Sequence, residues 1–598
     1  FRGDTSAELF DSILNRQPTS PVRLNPEAPA ELERIISKAV EKDRETRYQH
    51  ASEIRADLKR LKRETESGRT AAVAAAPARS FAMKSAAIGV VALVVVLASA
   101  TWYWQKRNAG SGPASSTPGA NARAMRTLAV LPFRDITGKD EDRSWGIGMT
   151  DAIITRLAPL QNLAVRPTSS VLKYAGTPAD PLRVAADLGV ESVLDGTYRR
   201  GTEFVRVSVQ LIDREKQSTR WAQQYDLRAG DMLKFQDEVA QKVVDGLKVE
   251  VSSQEHAVMT APLTSSADAY NLYLQARFYR NQYFMDSSVE HLHRGQQLML
   301  QAIEKDPSFA EGYASLSYLY TLEGANFAAD QAENLARGER AGRKALQLKP
   351  DSPEALMALG SSLTERGHNM EALEKLRQAT IVAPNSETAW DLFGYACHYS
   401  GLVDQAERAY RRSVELDPTT ARIYWMHARM LLYQGHADQA EQEVRRALEA
   451  NPNQFKLMGY LGEFLYYQGK NDEADVMFTR ALELGKNSGD PALTGLAAFF
   501  YASRGQRERI DARFFRYQPE TVFDGDWAYW TAGTYALLGE REKALIWLRR
   551  AVKIGNHNYP WFQRDKNFNS LRGDPEYQRI MEEVRGHWEE YRQVLGQS

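Results

Sequence analysis

The sequence predicts a multidomain protein: a small all-α segment, a single transmembrane helix, a compact α/β domain and an all-α solenoid of helical repeats. Three observations carry this. Residues 85–104, SAAIGVVALVVVLASATWYW, hold no charged side chain and as a helix would reach roughly 30 Å, the thickness of a bilayer's hydrocarbon core. From residue 126 to 250 short apolar runs alternate with amphipathic stretches, the rhythm of strands and helices sharing one core. Beyond that, Pro350, Pro384, Pro418 and Pro452 recur every 34 residues, as do Gly367, Gly401, Gly435 and Gly469, and again Ala372, Ala406, Ala440 and Ala474.

Composition narrows the classes. A chain of 598 residues exceeds one hydrophobic core. With 76 Lys and Arg against 77 Asp and Glu there is no overall basic field, and nucleic acid is not an expected partner. The single cysteine, Cys397, excludes an internal disulfide framework and a cysteine-rich zinc site.

Residues 1–66 read as helical: SAELFDSIL, PAELERIISKAVEKD and SEIRADLKRLKRE carry apolar residues at helical spacing, broken by Pro18, Pro21, Pro26 and Pro29. The order FRGDTSAELFDSIL, then LNPEAPAELERIISKAVEKDRETRYQHASEIRADLKRL, resembles the end of the C-lobe of bacterial eukaryotic-like Ser/Thr protein kinases. By that resemblance Arg47, within RYQHA, is a structural residue, the partner of the glutamate in the family's A-P-E motif; Arg44 departs from the family, which commonly has proline there. The Gly-rich loop, strand lysine, H-R-D and D-F-G that phosphoryl transfer requires occur nowhere in the chain. No catalytic, cofactor-binding or metal residue is therefore expected, and ATP and magnesium belong only to an upstream kinase part, which the start at Phe1 leads us to expect.

Linkers at 67–84 and 105–125, rich in Ala, Gly, Ser and Pro, bracket the apolar run. Lys84 precedes that run, and Trp102, Tyr103, Trp104, Lys106 and Arg107 close it, side chains suited to headgroup depth. Basic residues flank both ends, so charge does not orient the span. The kinase resemblance does: the N-terminal segment is expected in the cytoplasm and the C-terminal domains outside the cytoplasmic membrane.

In residues 126–252, TLAVLPF, LAVRP, ESVLDGTYRR, EFVRVSVQLID and RWAQQYD read as strands, with SWGIGMTDAIITRLAPL, DPLRVAADLG and DMLKFQDEVAQKVVDGL as helices. The phrases AVLPF, VRPTSS, LGVESVLDGTYRR and WAQQYD resemble the TolB-like amino-terminal domain, which supplies no chemistry of its own. Ser169 and Ser170 lack a histidine base in this segment. Asp135, Asp140, Glu141 and Asp142 read as a solvated loop, and Gly146 with Gly148 is only superficially a phosphate loop.

Residues 266–572 carry the tetratricopeptide period, about eight units, and residues 573–598 a capping helix. Small residues at Gly360, Gly394, Ala428 and Gly462 on the first helix and at Ala372, Ala406, Ala440 and Ala474 on the second allow close helix approach, with larger Leu376, Tyr410, Val444 and Phe478 recurring at one packing site. Projecting the first helix of each pair inward selects Asp391, Tyr395, His398, Tyr399, Arg422, Trp425, Arg429, Tyr433, Lys456, Tyr460, Glu463 and Tyr467 as a candidate groove for a protein or peptide; several of these tyrosines suit packing between helices equally well. His427 reads as a hydrogen-bonded packing residue. The expectation is the C-terminal part of a membrane-bound Ser/Thr kinase whose external region senses a protein or peptide, with homodimerisation, or alternatively a non-enzymatic envelope scaffold.

Overall fold

The computed structural model describes residues 125–595, apart from 138–142, 176–178, 202, 229–231, 287, 327–329 and 487–490, and before them residues 30–39 with isolated positions to residue 60. Two units separate, 1–121 and 122–598. In the first, AELERIISKA forms α1 (Ala30–Ala39), with Ile35 buried. Arg47, the linkers and the apolar run 85–104 lie outside the described residues. Among those described, no helix is long and apolar enough to cross a membrane.

The second unit opens on a mixed sheet. Strands β1 (Arg126–Val130), β2 (Arg134–Asp135), β3 (Leu163–Val165), β4 (Ser192–Arg200), β5 (Val205–Asp213) and β6 (Ser218–Leu227) lie in the order β3-β1-β4-β5-β6, with β2 beside β4. β1 runs parallel to β3 and β4, while β4, β5 and β6 form an antiparallel meander. The parallel pairs are joined through α2 (Arg143–Leu157) and, after the short α3 (Thr168–Val171), through α4 (Pro181–Asp187). Asp180 caps α4 through the Leu182 amide and Pro181 takes its first position, so that crossover starts where the sequence dictates. Phe235 of α5 (Met232–Leu247) meets Phe133 and Tyr225 edge-on, closing the core under β6. A Cβ on Gly146 would lie 2.1 Å from the Phe133 carbonyl oxygen, so this glycine serves helix-on-strand contact rather than a phosphate.

After α6 (Ser253–Thr260), capped by a reciprocal Ser252–Glu255 box, the solenoid begins. Its helix pairs are α7 (Ala267–Asp286) with α8 (Val289–Lys305), α9 (Ala310–Asn326) with α10 (Gln331–Leu348), α11 (Pro353–Glu365) with α12 (Asn369–Val382), and α13 (Glu387–Tyr399) with α14 (Val403–Leu416). There follow α15 (Ala421–Gln434) with α16 (Ala437–Ala450), and α17 (Phe455–Tyr467) with α18 (Asn471–Gly485). The divergent unit has α19 (Pro491–Ser503) and three 3₁₀ turns in place of a second helix, before α20 (Gly525–Leu537) pairs with α21 (Arg541–Lys553).

The repeat positions have the reasons their spacing implies. A Cβ on Gly360 would sit 2.4 Å from Leu376 Cγ, and one on Gly462 2.9 Å from the Phe478 ring. Gly367, Gly401, Gly435 and Gly469 take φ of 75°, 69°, 94° and 79° where the first helix of each pair ends. The end of the chain differs from a simple cap. After α22 (Tyr559–Arg564), α23 (Pro575–Leu595) reaches back to the fourth pair, Trp588 Nε1 donating to the Gly401 carbonyl at 3.0 Å.

Candidate functional site

The inner face of the middle repeats is where inward-pointing chemistry concentrates, and the chain itself covers much of it. Arg429, on α15, is 1% exposed and surrounded by the Tyr433, Tyr460 and Trp530 rings at 5.4, 5.7 and 5.3 Å. Its Nη1 donates to Asp526 Oδ2 at 2.7 Å and its Nη2 to the Tyr433 hydroxyl at 2.6 Å, while Nε lies 4.0 Å from Glu463 Oε2. Asp526 comes from the start of α20, about a hundred residues later in the chain, and its Oδ1 also meets His398 Nε2 at 3.2 Å. Burial alone would raise the Asp526 carboxyl, but Arg429 and His398 outweigh it and hold it well below the usual carboxylate range. Burial lowers His398, with Asp526 partly opposing. Burial pushes Glu463 up to about 8 despite Arg429.

The other inward residues follow the same pattern. The Asp526 amide donates to the Tyr399 hydroxyl at 3.3 Å, and Tyr395 donates to that hydroxyl at 3.2 Å. Tyr433 stacks on Trp561 of α22 at 4.3 Å, and Tyr467 donates to Asp565 at 3.0 Å. Trp425 and Tyr460 stack at 5.4 Å, with the Lys456 ammonium 6.0 Å from the Trp425 centroid. Arg422 pairs with Asp391 and lies over the Tyr395 ring. Asp391, Tyr395, Arg422, Lys456 and Tyr467 stay half-buried, whereas His398, Tyr399, Trp425, Arg429, Tyr433, Tyr460 and Glu463 are buried. Residues of α20 and α22 and Asp565 thus lie against His398, Tyr399, Arg429, Tyr433 and Tyr467.

Sequence reasoning did not find Asp526, Asp565 or Trp561. The available signal was an inward arginine with no carboxylate in its own repeat positioned to neutralise it. His427 is held between Glu443, 2.7 Å from Nδ1, and Glu407, 3.3 Å from Nε2. Among the described residues no group of three or more His, Cys, Asp or Glu could hold a metal ion.

A second set of polar contacts joins the sheet domain to the solenoid. Arg277 of α7 pairs with Asp151 of α2, which also accepts from Thr168 at 2.5 Å. Ser170 donates to Asp417 at 2.5 Å, Arg166 donates to the Leu416 carbonyl, and Asn385 donates to the carbonyls of Leu160 and Gln161 at 2.9 and 2.6 Å. The VRPTSS phrase thus contributes Arg166, Thr168 and Ser170 to an interdomain joint, where Ser170 is held by the Asp417 carboxylate rather than by a histidine.

A tetratricopeptide repeat family model matches residues 392–454 and 425–488. The solenoid is built of tetratricopeptide repeats. A model described as the second domain of HilA/YgeH-like transcriptional regulators matches residues 124–242, the segment that carries the TolB-like phrases. Over 266 residues the chain is 27% identical to "Putative adenylate cyclase 3" of Rhizobium meliloti (strain 1021), covering 44% of this chain and 45% of that protein. Over 157 residues it is 24% identical to the transcriptional regulator HilA of Salmonella typhimurium, covering 26% of this chain and 28% of HilA. The chain thus spans about half the length of the first relative and less than a third of the second. Among solved structures, a human IFIT1 dimer is similar at a TM-score of 0.33 and 18% identity, over 54% of this chain and 69% of that one. Pseudomonas aeruginosa pilF is similar at 0.28 and 17%, over 35% and 90%.

Proposed function

We propose that this chain is the C-terminal, protein-binding part of a membrane-bound bacterial Ser/Thr protein kinase, in which the sheet domain and tetratricopeptide solenoid act as one sensory body. The observation that carries this is the joint: Arg277 and Asp151 are both nearly buried and bonded across it, so a partner that shifts the first repeats also loads α2. The relatives lend support, since one carries the name of an adenylate cyclase and another that of a transcriptional regulator; a sensory body serving different outputs accounts for both. The kinase output and the membrane anchor rest on the motif order in residues 1–66 and on the uncharged run 85–104.

The test is phosphate incorporation from labelled ATP into the full-length gene product in membranes, with and without residues 266–595. A change in rate on removal of the repeats supports sensing. Equal rates overturn the coupling. No incorporation at all by the full-length product assigns the chain to an envelope scaffold instead.

A further inference from the structure

On the edge of the solenoid, where the turns within successive repeats line up, lies an open pocket of about 600 Å³ whose polar lining includes Lys566, Arg504, Asn471, Ser503, Gln506 and Asn569. No Asp or Glu lines it. Lys566, half-buried, donates to the Tyr466 carbonyl at 2.7 Å and sits 3.6 Å above the Tyr466 ring, with no carboxylate at ion-pair distance among the described residues. The neighbouring Asp565 turns the other way, accepting from Tyr467 and Tyr529 at 3.0 and 2.8 Å. Burial accordingly lowers the Lys566 ammonium, with Asp565 only partly opposing. Arg504 is exposed and makes no ion pair among the described residues.

The amides are biased as donors too. Gln506 Oε1 already accepts from Arg509 at 3.2 Å and Asn569 Oδ1 from Arg572 at 3.0 Å, leaving their amide nitrogens to face a ligand. Nearby acids are spent elsewhere: Glu540 pairs with Arg507 and Lys543, and Glu473 with Arg445. Asp472, beside Asn471, is exposed and outside the lining. Two cations and two amides with no acid in the lining favour an anion over a cation there. The Tyr466 ring and Leu537 add apolar walls suited to the methylenes of a side chain.

We propose that this pocket binds an Asp or Glu carboxylate in an acidic segment of a partner protein, held between Lys566 and Arg504. The inference rests on the reading of the solenoid as a protein-binding body, and it places the acidic contact at the edge of the stack, away from the covered inner face. Binding of fluorescein-labelled hexaglutamate to the full chain in detergent micelles tests it by anisotropy, with hexaglutamine and inorganic phosphate as comparators. The expected result is hexaglutamate binding that weakens with salt, about tenfold weaker in each of R504Q and K566Q, retained in K566R, and absent for hexaglutamine. Because Arg504 is exposed and unpaired, R504Q keeps the fold and decides the matter even if K566Q does not. Affinity in R504Q within twofold of wild type overturns the site. Displacement of the probe by inorganic phosphate at or below the peptide's own concentration overturns the peptide assignment in favour of a small anion. Neither readout involves phosphorylation, so a chain that binds hexaglutamate but whose repeats leave kinase output unchanged defeats only the functional reading.

Discussion

Replacing Asp526 by Asn removes the carboxylate charge that closes the solenoid on itself, while keeping the side chain's shape. Arg429, 1% exposed, then retains Tyr433 and three ring faces but no anion at hydrogen-bond distance. Removing one partner of a buried pair costs about 3–5 kcal/mol, and because the amide oxygen can still accept, the lower end, about 3 kcal/mol, applies. The rings surround Arg429 before and after, so they offset nothing. At about 1.4 kcal/mol per tenfold this raises the opening equilibrium more than a hundredfold. Hydrogen exchange of the full chain in detergent micelles reads it in peptides covering α20 and α15. The sign with pH is fixed: a depressed folded value means the pair contributes above the ordinary carboxylate range and is lost only as pH falls through that folded value. Pairing Arg429→Met with Asp526→Leu should restore protection to within about threefold, since an apolar substitute of similar volume needs no counter-charge. Exchange in D526N within about threefold of wild type refutes the reasoning.

Three further outcomes follow from the same structure. His557 is buried, and burial with the nearby His587 lowers it to about 4; between pH 6.5 and 4 the unfolded chain binds the extra proton, so about 3 kcal/mol of stability is lost on acidification, and His557→Gln should flatten that slope in thermal melts. Gly360→Ala meets Leu376 at 2.4 Å and should cost about 1–3 kcal/mol in urea, a cost near zero counting against the packing account; Gly435→Ala meets nothing within 4 Å but sits at φ 94° and should cost about 1–2 kcal/mol through backbone strain alone, a cost near zero counting against that strain. Arg277→Met leaves Asp151, 2% exposed, without its closest cation, and should speed limited proteolysis between residues 248 and 266 at least tenfold, an unchanged rate counting against a tight joint.

What was legible in the sequence is what period and local chemistry encode. The 34-residue recurrence marks Gly360 and Gly462 as close-approach positions and Leu376 and Phe478 as a packing site, because contacts within one helix pair repeat with the pair; that each glycine meets its large residue is read only from the structure. EFVRVSVQLID marks β5 because its alternation follows the pleat, while ESVLDGTYRR marks β4 as a short apolar run buried on both faces at its start. The closure of the solenoid was not legible: Arg429 and Asp526 are 97 residues apart, in different repeats, and no periodicity links them. The same holds for Trp588 at Gly401 and for Ser170 at Asp417. A contact made once between distant elements leaves only an inward charge in want of a partner, and Arg429 was such a charge.

The most direct test of the proposed reading, in which a cytoplasmic kinase-like end is joined across a membrane to an external protein-binding body, is topology. Single cysteines placed in linkers 68–80 and 110–122, in a Cys397→Ser background, are exposed in intact cells to a membrane-impermeant thiol reagent. The account expects labelling only at 110–122. Labelling only at 68–80 would put the kinase-like segment outside, away from ATP, and contradict it.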